Sequence, residues 1–262
     1  MNNLVKIFAF CFIAFVVSCT QTDPLSILEQ KAVVEAYLAT NHPIDVHVTK
    51  EIAFADTATT LEPIFDLVIK IQVDGQTTTL KPDTAGHYRS DFNIREGKTY
   101  AMSFDYKGKT ISASTTIPTR PKGFAASAKE LIIPPYISGL RPTFPTPITL
   151  TWTNTNADYY IVAVKSTDNP AEIINSARPG GNRIFRERPT QSLTVDIRAP
   201  QFSYYGNHDL LLYHINSEYV SLYDDSGSNS LNLTAPYSNV SNGLGIFTGI
   251  SADTLKLLVK KQ

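Results

Sequence analysis

The chain has 262 residues, with 23 Lys and Arg against 24 Asp and Glu and a formal net charge of −1. With no strongly basic half, that balance argues against nucleic acid as a partner, and the length suits one large or two ordinary domains. Frequent Thr, Tyr, Val and Ile with only 2 Met favour strands over helices.

The chain opens with a short, weakly basic start ending at Lys6, then an almost wholly apolar run over residues 7–17. A membrane-spanning helix needs roughly 20 apolar residues, whereas the core of a signal peptide needs about 7–15. The run therefore reads as an export signal over residues 1–18. It ends at Val17, Ser18 and Cys19, which resembles the lipobox of bacterial lipoproteins. The resemblance implies cleavage before Cys19, lipid on its sulfur and an acyl chain on its new amino group. The other cysteine, Cys11, falls in the discarded segment, so the exported domain has no disulfide and stands on its core alone.

Residues 19–30 read as a lipidated tether, with Leu25, Ile27 and Leu28 available to dock on the first domain. Residues 31–39 and 45–51 read as the first two strands. From Phe65 the alternation is clear: Phe65, Leu67, Ile69, Ile71 and Val73 fall on one face, which predicts a half-buried strand. Asp74 and Gly75 form a hairpin signal, and residues 77–81 return. Residues 87–93 alternate again with Tyr88 and Phe92 inward. A turn over 96–98 leads to a strand carrying Tyr100, Met102, Phe104 and Tyr106 on one face. A turn over 107–109 precedes a last strand over 111–117. This spacing predicts a first β-sandwich over residues 31–118.

Prolines crowd residues 118–147, so central strands are disfavoured there, and 119–147 reads as a linker with an edge segment. Ile148, Leu150 and Trp152 then alternate with threonines, a loop covers 154–158, and residues 159–166 form another strand. This strand–loop–strand piece resembles a fibronectin type III domain, in which a strand Trp packs beneath a following Tyr strand. Strands are further predicted at 193–197 and 209–215, the latter central because it is apolar on both faces. A short helix is predicted over 217–224, with Tyr219 and Tyr223 one turn apart. The final strand falls over 245–250 or 254–259. The fold class is thus mostly β: two β-sandwich domains, immunoglobulin- or fibronectin III-like, with at most one or two short helices, the second over 148–262.

Taken together, the lipobox, the KAVVEAYL stretch from Lys31, the GKTY turn ending at Tyr100, the exit at Pro118 and the NGLGIF stretch from Asn242 to Phe247 resemble the Bacteroidota lipoprotein family catalogued as domain of unknown function 4249. The resemblance implies an outer-membrane lipoprotein, associated with a TonB-dependent receptor and without an established enzymatic activity. Surface-displayed lipoproteins of that phylum often carry acidic residues just after the Cys, and here only Asp23 follows.

Motifs that would carry chemistry are sparse. The five histidines, His42, His47, His87, His208 and His214, make no metal-ligand spacing, and His208 and His214 stand roughly 20 Å apart along one strand. There is no Gly-x-Ser-x-Gly elbow and no phosphate-cradling loop. Asp224 and Asp225 read as a solvated loop before a calcium site, and Arg183, Arg186 and Arg188 as a solvated edge before an acidic-partner contact. Phe202, Tyr204 and Tyr205 precede a strand, where they either form a partner surface or fold back as a lid on the second core. Asn242, Gly243, Gly245 and Phe247 are the other contact candidates, against the reading that the glycines serve a tight approach to the last strand. The sequence therefore predicts a non-enzymatic, cofactor-free binding lipoprotein held to the membrane through Cys19. A surface hydrolase acting on peptide or glycan, or a structural adhesion module, are the alternatives.

Overall fold

The computed structural model describes residues 30–52, 60–137, 139, 143–175, 181–223 and 237–262. The export signal over 1–18, Cys19, tether residues 20–29, and Asp224 and Asp225 lie outside the described residues. The fold is mostly β. In chain order the strands are β1 (Ala32–Ala39), β2 (Pro43–Lys50), β3 (Lys70–Val73), β4 (Gln76–Thr79), β5 (Lys81–Pro82), β6 (His87–Asn93), β7 (Thr99–Tyr106) and β8 (Lys109–Thr116). There follow β9 (Lys122–Ala126), β10 (Glu130–Ile133), β11 (Ile148–Thr153), β12 (Tyr159–Ser166), β13 (Ile184–Arg186), β14 (Thr194–Ile197), β15 (Gly206–Ile215) and β16 (Leu244–Lys261). A short helix, α1 (Ser217–Val220), continues as a 3-10 turn over Ser221–Tyr223, where the sequence placed one.

The strands form a nine-stranded sheet, ordered β13-β12-β15-β16-β1-β2-β6-β5 with β10 also on β16, a three-stranded sheet β14-β11-β9 and a four-stranded sheet β4-β3-β7-β8. One core is filled by the long sheet (Val34, Leu38, Val46, Tyr88) and the four-stranded sheet (Ile71, Tyr100, Ile111). The other is filled by the long sheet (Val162, Leu212, Val259) and the three-stranded sheet (Leu150, Trp152, Ile197). Trp152 lies 5.6 Å from the Tyr160 ring, so the indole does pack beneath the following Tyr strand. The prolines of residues 118–147 leave only edge positions to β9 and β10, because proline cannot donate to a ladder.

The 18-residue β16 is the axis of the molecule. Its first half pairs in parallel with β1, from Val33↔Leu244 to Ala39↔Ile250. From Ile250 onward it pairs antiparallel with β15, and Leu258–Lys261 also pairs in parallel with β10. The two final-strand candidates are therefore one continuous strand. Phe247 and Val240 belong to the first core, and Leu257 and Val259 to the second. The segment 148–262 thus supplies residues to both cores, which its local alternation alone did not reveal.

One predicted strand is shorter than expected. Phe65 is 58% exposed and only Lys70–Val73 is extended. Asp66 has φ +62°, which breaks the period-two alternation. The Tyr88 hydroxyl replaces the missing ladder by donating to the Ile64 carbonyl at 2.9 Å and accepting the Leu67 N–H at 3.1 Å. The hairpin at Asp74 and Gly75, both at positive φ, forms as expected.

Between the two cores, the Asn216 amide donates to Thr115 Oγ1 at 2.9 Å and to the Thr116 carbonyl at 2.8 Å. Thr115 donates in turn to Glu218 Oε1 at 2.7 Å and accepts the Gly249 N–H at 3.0 Å. Arg120 pairs with Asp253 at 2.5 Å. These bonds join β8 and the exit at Pro118 to the loop after β15 and to the middle of β16.

Candidate functional site

A cleft of about 730 Å³ opens at the C-terminal end of β16. Its walls are apolar: Ile133 at the end of β10, Ile137 after it, Phe144, Ile173 and Ile174, and Phe202. Asn175, Ser203 and Gln262 supply polar groups at its rim. A volume of this size with apolar walls and few polar groups is the usual form of a small-ligand or side-chain pocket.

Local chemistry explains the shape. Pro134 and Pro135 end β10 because they offer no N–H to pair, and the chain peels away as one wall. The Ile133 carbonyl is held at that point by the Tyr205 hydroxyl at 3.3 Å and by the Gln262 N–H at 3.4 Å. The opposite wall is a short antiparallel contact, with Ile174 N–H donating to the Ser203 carbonyl at 3.0 Å and Tyr205 N–H to the Glu172 carbonyl at 2.8 Å. Pro200 starts a 3-10 turn over Ala199–Gln201 that presents Phe202.

Behind this wall is a polar brace. Asp168 Oδ2 accepts the Asn207 backbone N–H at 2.8 Å, and Oδ1 accepts its side-chain amide at 3.1 Å. These bonds hold the Asp168 carboxyl below the usual carboxylate range. Gly206 has φ +100°, and a Cβ there would lie 2.1 Å from Asp168 Oδ2, so only glycine permits the approach. Arg183 donates to the Asp168 carbonyl at 2.7 Å and lies 5.3 Å from the Tyr204 ring centroid. Buried His208 meets the Phe202 ring in a T-shaped contact with centroids 5.2 Å apart, and burial pushes its imidazole below its ordinary value.

The contact candidates separate into two places. Phe202, Tyr204 and Tyr205 are all buried, so the lid geometry describes them; Phe202 also forms cleft wall, while the Tyr204 hydroxyl donates to the Gly181 carbonyl at 2.7 Å. Asn242, Gly243, Gly245 and Phe247 lie at the other end of β16. Phe247 is a core ring with no exposed surface, and its backbone is clamped by Asn239, which donates to its carbonyl at 2.8 Å and accepts its N–H at 2.9 Å. A side chain in that position cannot touch a partner, so the contact expected of Phe247 is corrected to a packing role. Gly245 has φ +105° and approaches the backbone of β1. Asn242 donates to the Thr110 carbonyl at 2.9 Å. The cleft-forming residues Ile137, Phe144 and Ile174 carried no sequence signal beyond being apolar in a proline-rich or loop setting.

His47 and His87 stack at 4.3 Å, with His87 Nδ1 2.8 Å from Asp45 Oδ1. Among the described residues no group of three His, Cys, Asp or Glu is arranged to hold a metal, and no helix is long and apolar enough to cross a membrane. Arg186 and Arg188 are exposed at and after the edge strand β13.

The sequence model of the family described as Domain of unknown function (DUF4249) matches residues 21–256. No curated protein matches the chain.

Proposed function

The chain belongs to the DUF4249 family, and on that premise we propose that it is a non-enzymatic binding lipoprotein, tethered through Cys19 to the outer membrane. In this reading a TonB-dependent receptor is its membrane partner, and the apolar cleft is its contact site. The observation that carries the reading is the placement of the cleft. Residue 30 enters at the Leu244 end of β16, whereas Gln262 lines the cleft at the other end. At about 3.3 Å per residue, the 18-residue strand separates them by up to about 55 Å. A lipid on Cys19 would confine the domain to the membrane plane and raise its effective concentration near a partner there. The cleft would then face away from the anchor. The two-sandwich, immunoglobulin- or fibronectin III-like arrangement is part of the same proposal. It is supported by each core being filled from two sheets and by the packing of Trp152 on Tyr160.

The test is affinity purification from membranes of the intact lipoprotein, its Cys19→Ala form and a Phe144→Asp form. Phe144 is 57% exposed in the cleft, so the charge alters the site while leaving both cores alone. A β-barrel receptor recovered with the intact protein and lost with Phe144→Asp is the expected result. Recovery of the protein alone, or of the same receptor with Phe144→Asp, overturns the reading.

A further inference from the structure

The nine-stranded sheet has an open edge beside the apolar cleft. β10 pairs with β16, and its other side meets no strand among the described residues. The Leu258 N–H donates to the Lys129 carbonyl at 3.0 Å, and the Gln262 N–H to the Ile133 carbonyl at 3.4 Å. Residues 129, 131 and 133 therefore point their backbone groups at β16, and the residues between them point the other way. These are Glu130 and Ile132, whose outward N–H and C=O have no backbone partner among the described residues. Leu131 and Ile133 bury their side chains in the second core, whereas Ile132 is 53% exposed. Lys260 Nζ stands 2.8 Å from both Glu130 carboxylate oxygens, so that pair brings the edge no net charge. By contrast, β4 exposes only Gln76 and three threonines, and β5 carries Pro82. Polar side chains and proline are common guards of a sheet edge, and an exposed isoleucine is not.

We propose that the open edge of β10 takes an extended polypeptide segment of the membrane partner as an added strand, one apolar side chain of which enters the cleft. The inference rests on the reading of the cleft as the contact site and adds the chemistry of its occupant. Outward N–H and C=O groups that repeat every two residues, about 7 Å, are complementary to the backbone of another strand. Glu130 and Ile132 offer two N–H and two C=O groups, so the ladder is short and the cleft supplies the rest of the contact. The fold sets the two side by side. β10 ends at Ile133, itself a cleft residue, and Pro134 stops the ladder there. A segment laid along β10 therefore runs off the ladder towards Ile137 and Phe144, which line the cleft and are 56% and 57% exposed. Successive side chains of a strand point to opposite faces, so the segment that fits carries bulky apolar residues at every second position. Its main chain gives affinity, and the cleft selects the side chain.

The test is amide hydrogen exchange resolved to single residues, on the intact lipoprotein alone and in its complex with the β-barrel receptor recovered from membranes. Alone, the Glu130 and Ile132 amides should exchange fast, and those of Leu131 and Ile133, which face β16, slowly. In the complex the Glu130 and Ile132 amides should slow about tenfold or more. Ile132→Ala keeps the backbone groups and should bind with the same protection; loss of binding in this variant would assign the contact to the side chain and overturn the main-chain pairing. A complex that Phe144→Asp abolishes, yet in which both amides exchange as fast as in the free protein, overturns the added strand and leaves the cleft as the contact site. Recovery of no receptor overturns the cleft reading and the added strand with it. Slowing of these amides in receptor-free protein as its concentration rises makes a second copy of the chain the occupant, and overturns the proposal.

Discussion

Gly245 and Val34 face each other across the parallel β1–β16 pair so closely that a Cβ on Gly245 would lie 1.9 Å from the Val34 carbonyl oxygen. Relief would require β1 and β16 to part. Gly245→Ala is therefore expected to cost about 3 kcal/mol or more, from the left-handed backbone and the clash together. Gly75→Ala is the control. It has φ +77° with nothing within 4 Å and should lose only about 1 kcal/mol. Urea unfolding midpoints of the two variants check the contrast; equal losses would remove the clash from the account.

The Trp152 indole N–H is buried with no hydrogen-bond partner among the described residues. Trp152→Phe removes an unsatisfied donor along with some ring volume, and these effects oppose each other. It should cost no more than about 1.5 kcal/mol, whereas Trp152→Ala should cost about 3–5 kcal/mol. Thermal or urea unfolding of both variants decides this; a large loss in Trp152→Phe would reveal a partner for the indole.

Burial lowers the pKa of His208 below its ordinary 6.5. The unfolded chain then binds more protons than the native state as pH falls below that value. Stability is full above about pH 6.5 and declines as pH falls through the window down to the native value. His208→Gln should flatten this acid-side slope. Unfolding midpoints at about pH 5 and about pH 7.5 test it, and an unchanged slope would point to another group.

Tyr219 sits between Tyr37 and Tyr223, and burial together with the Tyr223 ring raises its pKa from 10.0 to about 12. Its raised native value means that it favours the fold up to pH 10 and loses that contribution as pH climbs towards 12. A tyrosinate absorbance titration should show a late-ionising ring that disappears in Tyr219→Phe.

The strands were readable where the chain alternates over a hairpin. Tyr100, Met102 and Phe104 declared β7, and Asp74 with Gly75 declared its neighbouring turn, because both signals are local. Phe65 misled because the left-handed Asp66 breaks the extended backbone just after it, so the strand begins only at Lys70, later than the pattern does. The partners of β16 left no trace in its residues, since parallel pairing with β1 joins positions about 210 apart. The NGLGIF stretch stood out as a motif, and its distinctiveness turns out to serve backbone approach and packing at Gly245 and Phe247. The cleft was legible only through Phe202. Its other walls come from segments that meet through the fold: the exit of β10, the chain after β12 and the end of β16.

Because Val240 and Phe247 complete the first core while Leu257 and Val259 complete the second, neither core can close during translation until the segment that carries β16 has emerged from the ribosome. A nascent chain halted before Val240 would have most of the first core's strands and still lack the ring that fills its centre. The order of synthesis thus keeps both cores open until β16 has been made.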